Sequence, residues 1–394
     1  MKDRIGIYAL WDLNWDGTTL AGLHCHIRYI RHFLNHVSKL KLFTSINGNR
    51  SDQDDCISHP NLEVIPVPWG SFTGAWTHLP KVFSVFSANL DNIDALYIRL
   101  FDPCAWMLGP LCNRRKIGTV FHIVGDPIAG IYERSDWSGP GKLFRRILFL
   151  PEELLTWNAV QSQVLLFSGS DLKQRYAVRG SHGEVIIDSV LEESDFSYPK
   201  GNSLHGCTTV LFVGFLRPPK RVEFLIEAVG MLISEDRNIK LRIVGSGEER
   251  YVTYLKSLVS ERNLSKSVEF IGYLPMGDGL NKEYRTADIF AFPSATEGAA
   301  RSLLEAAANS LPIITTNVGS ARDLFIDGES ALIVPPNDPV EIAIALRRFI
   351  EDPALRKKCM ENARRSAGGR SVRTHVKVIL EYLNRASEIA RSNV

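Results

Sequence analysis

The sequence lacks the clustered cysteines that zinc sites and disulfide frameworks require. Its six cysteines are scattered over 394 residues, and no two have the C-x-x-C spacing. It also lacks any run of the roughly 20 apolar residues that would span a bilayer. The start of the chain, MKDRIGIYAL, passes directly into a strand pattern without the apolar core of a secretory signal. We therefore expect a reduced, cytoplasmic protein without a membrane span.

The sequence has little net charge and no composition bias. The formal charge is +2, which gives no general argument for nucleic-acid binding. Hydrophobic residues make up 45% and charged residues 23%, as in ordinary soluble globular proteins. A chain of 394 residues is too long for one ordinary core, so we predict two domains.

Short apolar runs alternate with longer amphipathic stretches along the whole chain. This alternation predicts α/β domains with parallel sheets and helical crossovers. The predicted elements include amphipathic segments over Thr19–Val37 and Lys142–Ala159 and strands over Leu62–Val67, Ala95–Leu100, Gly118–Ile123 and Thr208–Val213. The polar stretch Asp188–Cys207 interrupts the pattern and indicates a boundary. We predict doubly wound domains over 1–190 and 191–370, with a final helix over 371–394 that packs back on the first domain. Ligands of such domains bind at the carboxyl ends of the strands.

The strongest motif is a pair of glutamates in the segment EGAARSLLE. Glu297 is predicted on a loop after a buried strand, and Glu305 about one turn into the following helix. A carboxylate at the second position can accept hydrogen bonds from two ribose hydroxyls, as acidic residues do in dinucleotide sites. The alternative is that Glu297 is an ordinary helix-start acid and Glu305 a solvated surface residue.

The residues between these glutamates predict a phosphate site. Gly298 and two small residues would let a phosphate approach the backbone. Backbone N–H groups at the start of the helix would point toward a diphosphate. The predicted set is Gly298, Ala299, Ala300, Arg301 and Ser302.

A second motif is a basic loop, FLRPPKR, between a strand that ends at Gly214 and an amphipathic helix. Its cations include Arg217 and Lys220. When a sugar leaves a nucleoside diphosphate, negative charge develops on the diphosphate, and preorganised cations stabilise it. The alternative is a solvated basic cap without a ligand.

Together these motifs resemble those of glycosyltransferase family 4, which carries an E-x7-E pattern in the same strand–loop–helix setting. The resemblance covers about Thr208–Ala367 and is weak in the first half. It implies a GT-B fold, in which two Rossmann-like domains face each other across a cleft, the donor on the C-terminal one. It also implies hexose transfer from a UDP- or GDP-sugar with retention of configuration. The acceptor would be a glycan or a lipid-linked oligosaccharide in cell-surface polysaccharide or lipopolysaccharide synthesis.

The resemblance includes one departure in the basic loop. The family places an arginine directly after the glycine and a lysine five residues beyond it. Lys220 matches the lysine, whereas Phe215 occupies the arginine position. Arg217 is the candidate replacement. The resemblance thus assigns Arg217, Lys220 and Glu297 to catalysis.

The resemblance also implies contacts from other loops. Gly245 would line the nucleotide site, and the segment Gly272, Tyr273 and Leu274 would flank the base. In the first half, Gly22 would approach the phosphates or sugar, and His122 would face the transferred sugar as a further catalytic residue. Structural roles for Tyr273, Gly22 and His122 remain alternatives.

Other classes of function remain open. No Asp-x-Asp follows an N-terminal strand, so we expect no catalytic metal, and no cofactor besides the donor. The basic amphipathic stretches His26–Phe43 and Trp137–Leu150 are typical either of peripheral membrane contact or of ordinary domain helices. The alternatives are a sugar-nucleotide epimerase or a non-catalytic nucleotide-sugar-binding subunit. A NAD oxidoreductase is disfavoured because no G-x-G-x-x-G follows the first strand.

Overall fold

A computed structural model describes residues 4–46, 55–134, 137–161, 163–177, 182–197, 204 and 206–392. The predicted linker Asp188–Cys207 therefore lies partly outside the described residues. The strands in this part of the chain are β1 (Arg4–Tyr8), β2 (Asn14–Trp15), β3 (Leu20–Gly22), β4 (Lys39–Ser45), β5 (Asp55–Ile57), β6 (Leu62–Val67), β7 (Ala95–Leu100), β8 (Gly118–Ile123), β9 (Val164–Phe167), β10 (His182–Val185), β11 (Thr208–Val213), β12 (Ile239–Val244), β13 (Val268–Gly272), β14 (Ile289–Phe292), β15 (Ile313–Thr316) and β16 (Leu332–Val334).

The helices lie between most of these strands and after the last one. They are α1 (His24–Leu34), α2 (Phe72–Thr77), α3 (Leu79–Asn89), α4 (Leu108–Arg115), α5 (Pro127–Tyr132), α6 (Gly139–Ala159), α7 (Ser170–Tyr176), α8 (Val222–Ser234), α9 (Glu249–Glu261), α10 (Asp278–Thr286), α11 (Arg301–Ala308), α12 (Ala321–Leu324), α13 (Pro339–Glu351), α14 (Pro353–Ala367) and α15 (Val372–Ser392). None of these helices, within the residues described, is both long and apolar enough to cross a membrane.

The chain forms two compact units. The first comprises 1–127, 143–190 and 372–394, and the second comprises 128–142 and 191–371. The C-terminal helix α15 thus belongs to the first unit. Our sequence prediction placed residues 128–142 in the first domain, whereas the structure groups them with the second.

The first unit is built on a parallel sheet in the order β10-β9-β8-β7-β1-β4-β6. Alternate residues of its strands face two separate cores, so both faces are covered, as parallel sheets require. Helix α15 covers one face, and it lies so close to β8 that a Cβ on Gly118 would come within 2.3 Å of the Ser387 nitrogen. Glycine at this position permits the contact.

One helix of the first unit starts later than the sequence suggested. The amphipathic segment predicted over Thr19–Val37 contains a strand, β3, followed by helix α1. Leu20–Gly22 pairs antiparallel with Asn14–Trp15 and with Asp55–Ile57, so its backbone groups are used by a small sheet.

The second unit is a parallel sheet in the order β13-β12-β11-β14-β15-β16. Its two long C-terminal helices, α13 and α14, both start at an Asp-Pro pair. The side chain of Asp338 accepts hydrogen bonds from the Val340 and Glu341 nitrogens at 3.0 and 3.1 Å. The side chain of Asp352 accepts one from the Leu355 nitrogen at 2.9 Å. Capping carboxylates followed by proline are strong helix starts.

Candidate active site

The basic loop after β11 is tied to the loop after β12. The Leu216 nitrogen donates to the Ser246 carbonyl at 2.8 Å, and the Glu248 nitrogen donates to the Leu216 carbonyl at 2.9 Å. Gly245 has φ +137°, and a Cβ there would lie 2.0 Å from the Gly214 carbonyl oxygen. Only glycine fits this crossing of two backbones. The predicted residues Gly214 and Gly245 are therefore in contact.

The same basic loop is tied to the loop after β14, the neighbouring strand. The Ala295 nitrogen donates to the Pro219 carbonyl at 2.9 Å, and Ser294 Oγ lies 3.2 Å from the same oxygen. These bonds set Lys220, in the short turn Pro218–Lys220, beside Glu297.

Lys220 and Glu297 form an ion pair whose two side chains are 10% and 8% exposed. Ser294 Oγ donates to the paired Glu297 oxygen at 2.8 Å, and the Lys220 ammonium lies 4.8 Å from the centre of the Phe292 ring. A buried pair of charges needs further hydrogen bonds to offset its lost hydration. Ser294 supplies one, and the pair is held in a fixed position.

The surroundings of this pair are electropositive. Burial lowers the pKa of the Lys220 ammonium, the Glu297 carboxylate opposes this effect, and the charges of Arg217 and Arg301 lower the pKa further. The two arginines therefore add positive charge to the surroundings of the pair. Such a cluster favours a ligand with additional negative charge, such as a diphosphate. Arg217 itself is exposed.

The start of helix α11 corrects one detail of the phosphate prediction. Helix α11 begins at Arg301, as expected. However, the Ala300 nitrogen donates to Ser320 Oγ at 3.2 Å, and the Arg301 nitrogen donates to the Ala299 carbonyl at 3.1 Å. These two N–H groups are used within the protein, so they are not directed at a ligand. For Gly298, Ala299 and Ser302 the predicted phosphate contact stays a prediction.

Glu305 is oriented by a residue that the sequence reasoning missed. Tyr284, in α10, is buried, and its hydroxyl donates to Glu305 Oε2 at 2.7 Å. Burial and the adjacent carboxylate both raise the pKa of Tyr284 well above its usual range, so the hydroxyl remains a donor. Glu305 is only partly buried and retains acceptor capacity for a ligand.

The base-flanking candidates lie at the end of β13. The Gly245 nitrogen donates to the Gly272 carbonyl at 2.8 Å, which joins this segment to the loop after β12. Tyr273 is exposed and Leu274 is half-buried. The predicted residues of the second half thus follow the carboxyl ends of β13, β12, β11 and β14, which are adjacent in the sheet.

Segment 128–142 adds two contacts to this edge. Arg134 forms a bidentate ion pair with Glu248, one bond being 2.7 Å. Arg221 contacts the Glu133 side chain at 3.3 Å and the Glu133 carbonyl at 3.2 Å. Sequence reasoning missed these contacts because no motif links residues 133–134 to the loops at 221 and 248.

His122 is placed differently from its prediction. Its side chain is fully buried in the first unit, and Tyr97 Oη lies 2.5 Å from Nδ1 and Ser168 Oγ 2.9 Å from Nε2. Burial lowers the pKa of His122 to about 3, against the opposing effect of Asp188. Both ring nitrogens are engaged within the first unit. The catalytic role of His122 stays a prediction.

Gly22 also lies outside the set that the structure brings together. It is the last residue of β3 and is buried, opposite Asp55 in the small antiparallel sheet. A Cβ there would contact the Leu13 side chain at 2.3 Å. Packing accounts for the small residue, and contact with the donor stays a prediction.

Comparison with known proteins agrees with this geometry. Residues 196–366 match the family described as "Glycosyl transferases group 1". This part of the chain is therefore similar to group 1 glycosyltransferase domains, and the match covers less than half of the chain. It contains all the site residues that the structure brings together, apart from the contacts of 128–142. The resemblance inferred from the motifs is confirmed at this level.

One similar protein is CapM of Staphylococcus aureus, a capsular polysaccharide biosynthesis glycosyltransferase. It is 28% identical over 163 residues, which are 39% of this chain and 40% of CapM. The chain aligns with only about two fifths of the length of several curated relatives.

Solved structures confirm the fold over the whole chain. Sucrose-phosphate synthase from Thermosynechococcus elongatus has a TM-score of 0.77 at 17% identity, over 99% of this chain and 100% of its own. HepE of Anabaena, solved in complex with UDP-glucose, has a TM-score of 0.72 at 16% identity, over 97% of this chain and 100% of its own. The fold is GT-B, an α/β fold with two Rossmann-like domains.

Proposed function

We propose that this protein is a retaining glycosyltransferase that moves a hexose from a nucleoside-diphosphate sugar to a glycan or lipid-linked oligosaccharide in the cytoplasm. The observation that carries the proposal is the buried Lys220–Glu297 pair with Arg217 and Arg301 acting on it. This cluster follows two adjacent strands, where a doubly wound domain binds its ligand.

The donor would lie along the carboxyl edge of the second unit. Glu305, oriented by Tyr284, would accept hydrogen bonds from the ribose hydroxyls. Glu297 would hold the transferred sugar, and Tyr273 and Leu274 would flank the base. We propose UDP as the nucleotide, because HepE was solved with UDP-glucose and shares this fold.

The chemistry follows from the charges. As the bond between sugar and diphosphate breaks, negative charge develops on the leaving group, and Lys220 and Arg217 stabilise it. The acceptor hydroxyl attacks from the face that the diphosphate leaves, and a diphosphate oxygen takes its proton. With Glu305 bound to ribose and Glu297 to the sugar, no carboxylate is assigned as the nucleophile of a double displacement. No catalytic metal is proposed.

The likeness to CapM supports a role in synthesis of a surface polysaccharide. A second candidate, a non-catalytic nucleotide-sugar-binding subunit, is favoured by one observation. Phe215, at the position where the family places arginine, is 54% exposed and supplies no charge. The two candidates differ in turnover and agree in donor binding.

A thermal-shift panel tests donor binding. UDP-, GDP- and dTDP-sugars, with NAD as a control ligand, are added to the wild type, to Glu305→Ala and to the matched control Glu329→Ala. A ligand that binds only the folded state raises Tm by mass action. We expect a shift with UDP-sugars that Glu305→Ala loses and Glu329→Ala keeps. A rise in Tm with NAD alone would contradict the proposal. So would the absence of a rise in Tm with every sugar nucleotide tested.

Product analysis then separates the candidates. With acceptor glycans present, a transferase consumes the donor and forms a glycoside whose anomeric configuration NMR reports. Conversion of the donor into an epimeric sugar nucleotide, without any acceptor, would indicate an epimerase. Binding of the donor without turnover of any acceptor would indicate the binding subunit.

A further inference from the structure

Helix α6 (Gly139–Ala159) has one face packed on the first unit and one face in solvent. The packed face carries Phe149, Glu152, Glu153, Thr156 and Ala159. These positions recur at three- and four-residue steps, as the buried stripe of a helix does.

The contacts of the packed face fix the orientation of the helix. The Phe149 ring packs against the rings of Phe72 and Phe101 at 5.4 and 5.7 Å. Glu152 accepts hydrogen bonds from the indole nitrogens of Trp76 and Trp106 at 2.8 and 3.2 Å. The opposite face of α6 must therefore point away from this core.

That opposite face is apolar. Its large side chains are each 40–60% exposed, and they follow one another for about 17 Å along the helix. They are Leu143, Phe144, Ile147, Leu148, Leu150 and Leu154. Contiguous exposed apolar patches of this kind are uncommon on soluble monomers and mark interaction sites.

The charges around this apolar face have one sign. Within Gly139–Ala159, every residue of which the structure describes, the two acidic residues are Glu152 and Glu153, and both are buried. The cations Lys142, Arg145 and Arg146 lie near its N-terminal end. At 3.6 residues per turn, Arg146 borders one side of the apolar face. Arg145 lies beyond the other side, toward the packed face, and is nevertheless exposed.

These cations keep hydrogen-bonding capacity for a further partner. Arg146 pairs with Glu153 at 2.6 Å, and the Lys142 ammonium donates to the Tyr132 carbonyl at 2.7 Å. A guanidinium has five N–H donors and an ammonium three, so one contact does not saturate either.

We propose that this apolar face of α6 binds the surface of a membrane that contains anionic lipids. An apolar helical face with cations on its flanks and no exposed acid matches a helix that lies in the interface plane. The apolar side chains enter the acyl boundary, and the cations contact lipid phosphates. The charge pattern favours an anionic lipid surface over a second copy of the chain, which would bring cations against cations. This inference does not depend on the donor site.

Vesicle co-sedimentation of the full chain tests the proposal. One set of vesicles contains phosphatidylcholine alone, and the other contains phosphatidylcholine and phosphatidylglycerol in equal parts. The variant Phe144→Ser/Ile147→Ser/Leu148→Ser is compared with Tyr254→Ser/Ile326→Ser/Val340→Ser, which removes three exposed apolar side chains from the second unit. We expect the wild type and the second variant to bind the anionic vesicles, and the first variant to bind at least about tenfold more weakly.

The other outcomes are distinct. Equal binding of wild type and α6 variant, or no binding of wild type, would overturn the proposal. A third outcome would also overturn it: the wild type is a dimer without lipid, the α6 substitutions dissociate that dimer, and neither protein binds vesicles. The apolar face would then be an interface between copies of the chain. Equal binding to both vesicle types would overturn the anionic requirement.

Two readouts keep folding and the donor site separate. Ile147→Glu changes one exposed residue and should also lose binding to anionic vesicles. The result therefore does not depend on the triple variant being folded. The α6 variants should keep the thermal shift with UDP-sugar. If an α6 variant loses vesicle binding but keeps the rise in Tm with UDP-sugar, the result supports the lipid surface. If the wild type shows no rise in Tm with UDP-sugar, only the proposed donor is contradicted.

Discussion

Two buried polar clusters, one in each unit, differ in the partners of their side chains. The first surrounds His122, within β8, and the second surrounds Lys220, in the turn after β11. In the first unit, His122 has both ring nitrogens engaged by Tyr97 and Ser168. In the second unit, Lys220 and Glu297 form a buried ion pair, and the charges of Arg217 and Arg301 also act on Lys220. A position near a strand end is therefore not sufficient for a catalytic role, and the balance of partners decides it.

The largest expected effect is on Lys220. In Lys220→Met the leaving diphosphate loses a preorganised cation, and we expect turnover of the donor to fall by about 10²–10³-fold. The measurement is the rate of UDP release with acceptor present. Lys240→Met, an exposed lysine in the same unit, is the control and should keep wild-type turnover. If Lys220→Met keeps its turnover, the Lys220 cluster has no catalytic role and does not differ in this respect from the His122 cluster.

A change at His122 should have the opposite profile. His122→Asn leaves the hydroxyls of Tyr97 and Ser168 without their present partner, and we expect the free energy of unfolding to fall by about 2 kcal/mol. Turnover should be unchanged, since both ring nitrogens are already engaged by Tyr97 and Ser168. Urea unfolding and the UDP-release assay give the two values. If His122→Asn loses turnover while its free energy of unfolding is unchanged, His122 takes part in catalysis.

The His122 cluster also predicts a pH dependence of stability. Burial holds the pKa of His122 at about 3 and lowers that of His375, although Asp188 acts against both shifts. Both values lie below the unfolded value of about 6.5, so the unfolded chain binds more protons in this window. Stability should be full above pH 6.5 and fall toward pH 3, by up to about 1.4 kcal/mol per pH unit from His122, with a further loss from His375. In His122→Asn the slope should be shallower.

A smaller effect is expected at the ribose carboxylate. Tyr284→Phe removes one hydrogen bond to Glu305, worth about 1 kcal/mol, and should weaken donor binding about fivefold. Tyr254→Phe, at an exposed tyrosine, should bind normally. Titration calorimetry with UDP-sugar compares the two variants. Equal affinities would mean that Tyr284 does not orient Glu305 for the donor.

The smallest effect concerns segment 128–142. Arg134→Gln breaks the ion pair with Glu248, which fixes the loop after β12, and we expect donor binding to weaken about two- to threefold. Arg262→Gln breaks an exposed contact of the same unit and serves as the matched control. An unchanged affinity in Arg134→Gln would confine the donor site to residues 191–371.

Much of this structure could be predicted where local pattern decides it. The bounds predicted for β6, β7, β8 and β11 agree with those observed, because each strand is a short apolar run bounded by turn residues. The long amphipathic helix α6 also lies close to its predicted bounds. The charge constellation of Glu297, Glu305 and Lys220 was readable because the three residues belong to two recognisable motifs.

The features that were missed depend on residues far apart in the chain. The burial of His122 is set partly by Asp188 and His375, which no local pattern connects to it. Leu20–Gly22 is the middle strand of a small sheet, between nearby Asn14–Trp15 and distant Asp55–Ile57. The membership of 128–142 in the second unit depends likewise on contacts with Arg221 and Glu248. Long-range partners of this kind require the tertiary structure.

The central claim is that the donor binds along the loops of the second unit and not at the His122 cluster. Hydrogen–deuterium exchange with and without UDP tests it most directly, since bound ligand slows exchange of the backbone amides it covers or orders. We predict slower exchange in Gly214–Arg221, Gly245–Glu248 and Glu297–Glu305, with Gly118–Ile123 unchanged. Slower exchange in Gly118–Ile123, with no change in Glu297–Glu305, would contradict the account.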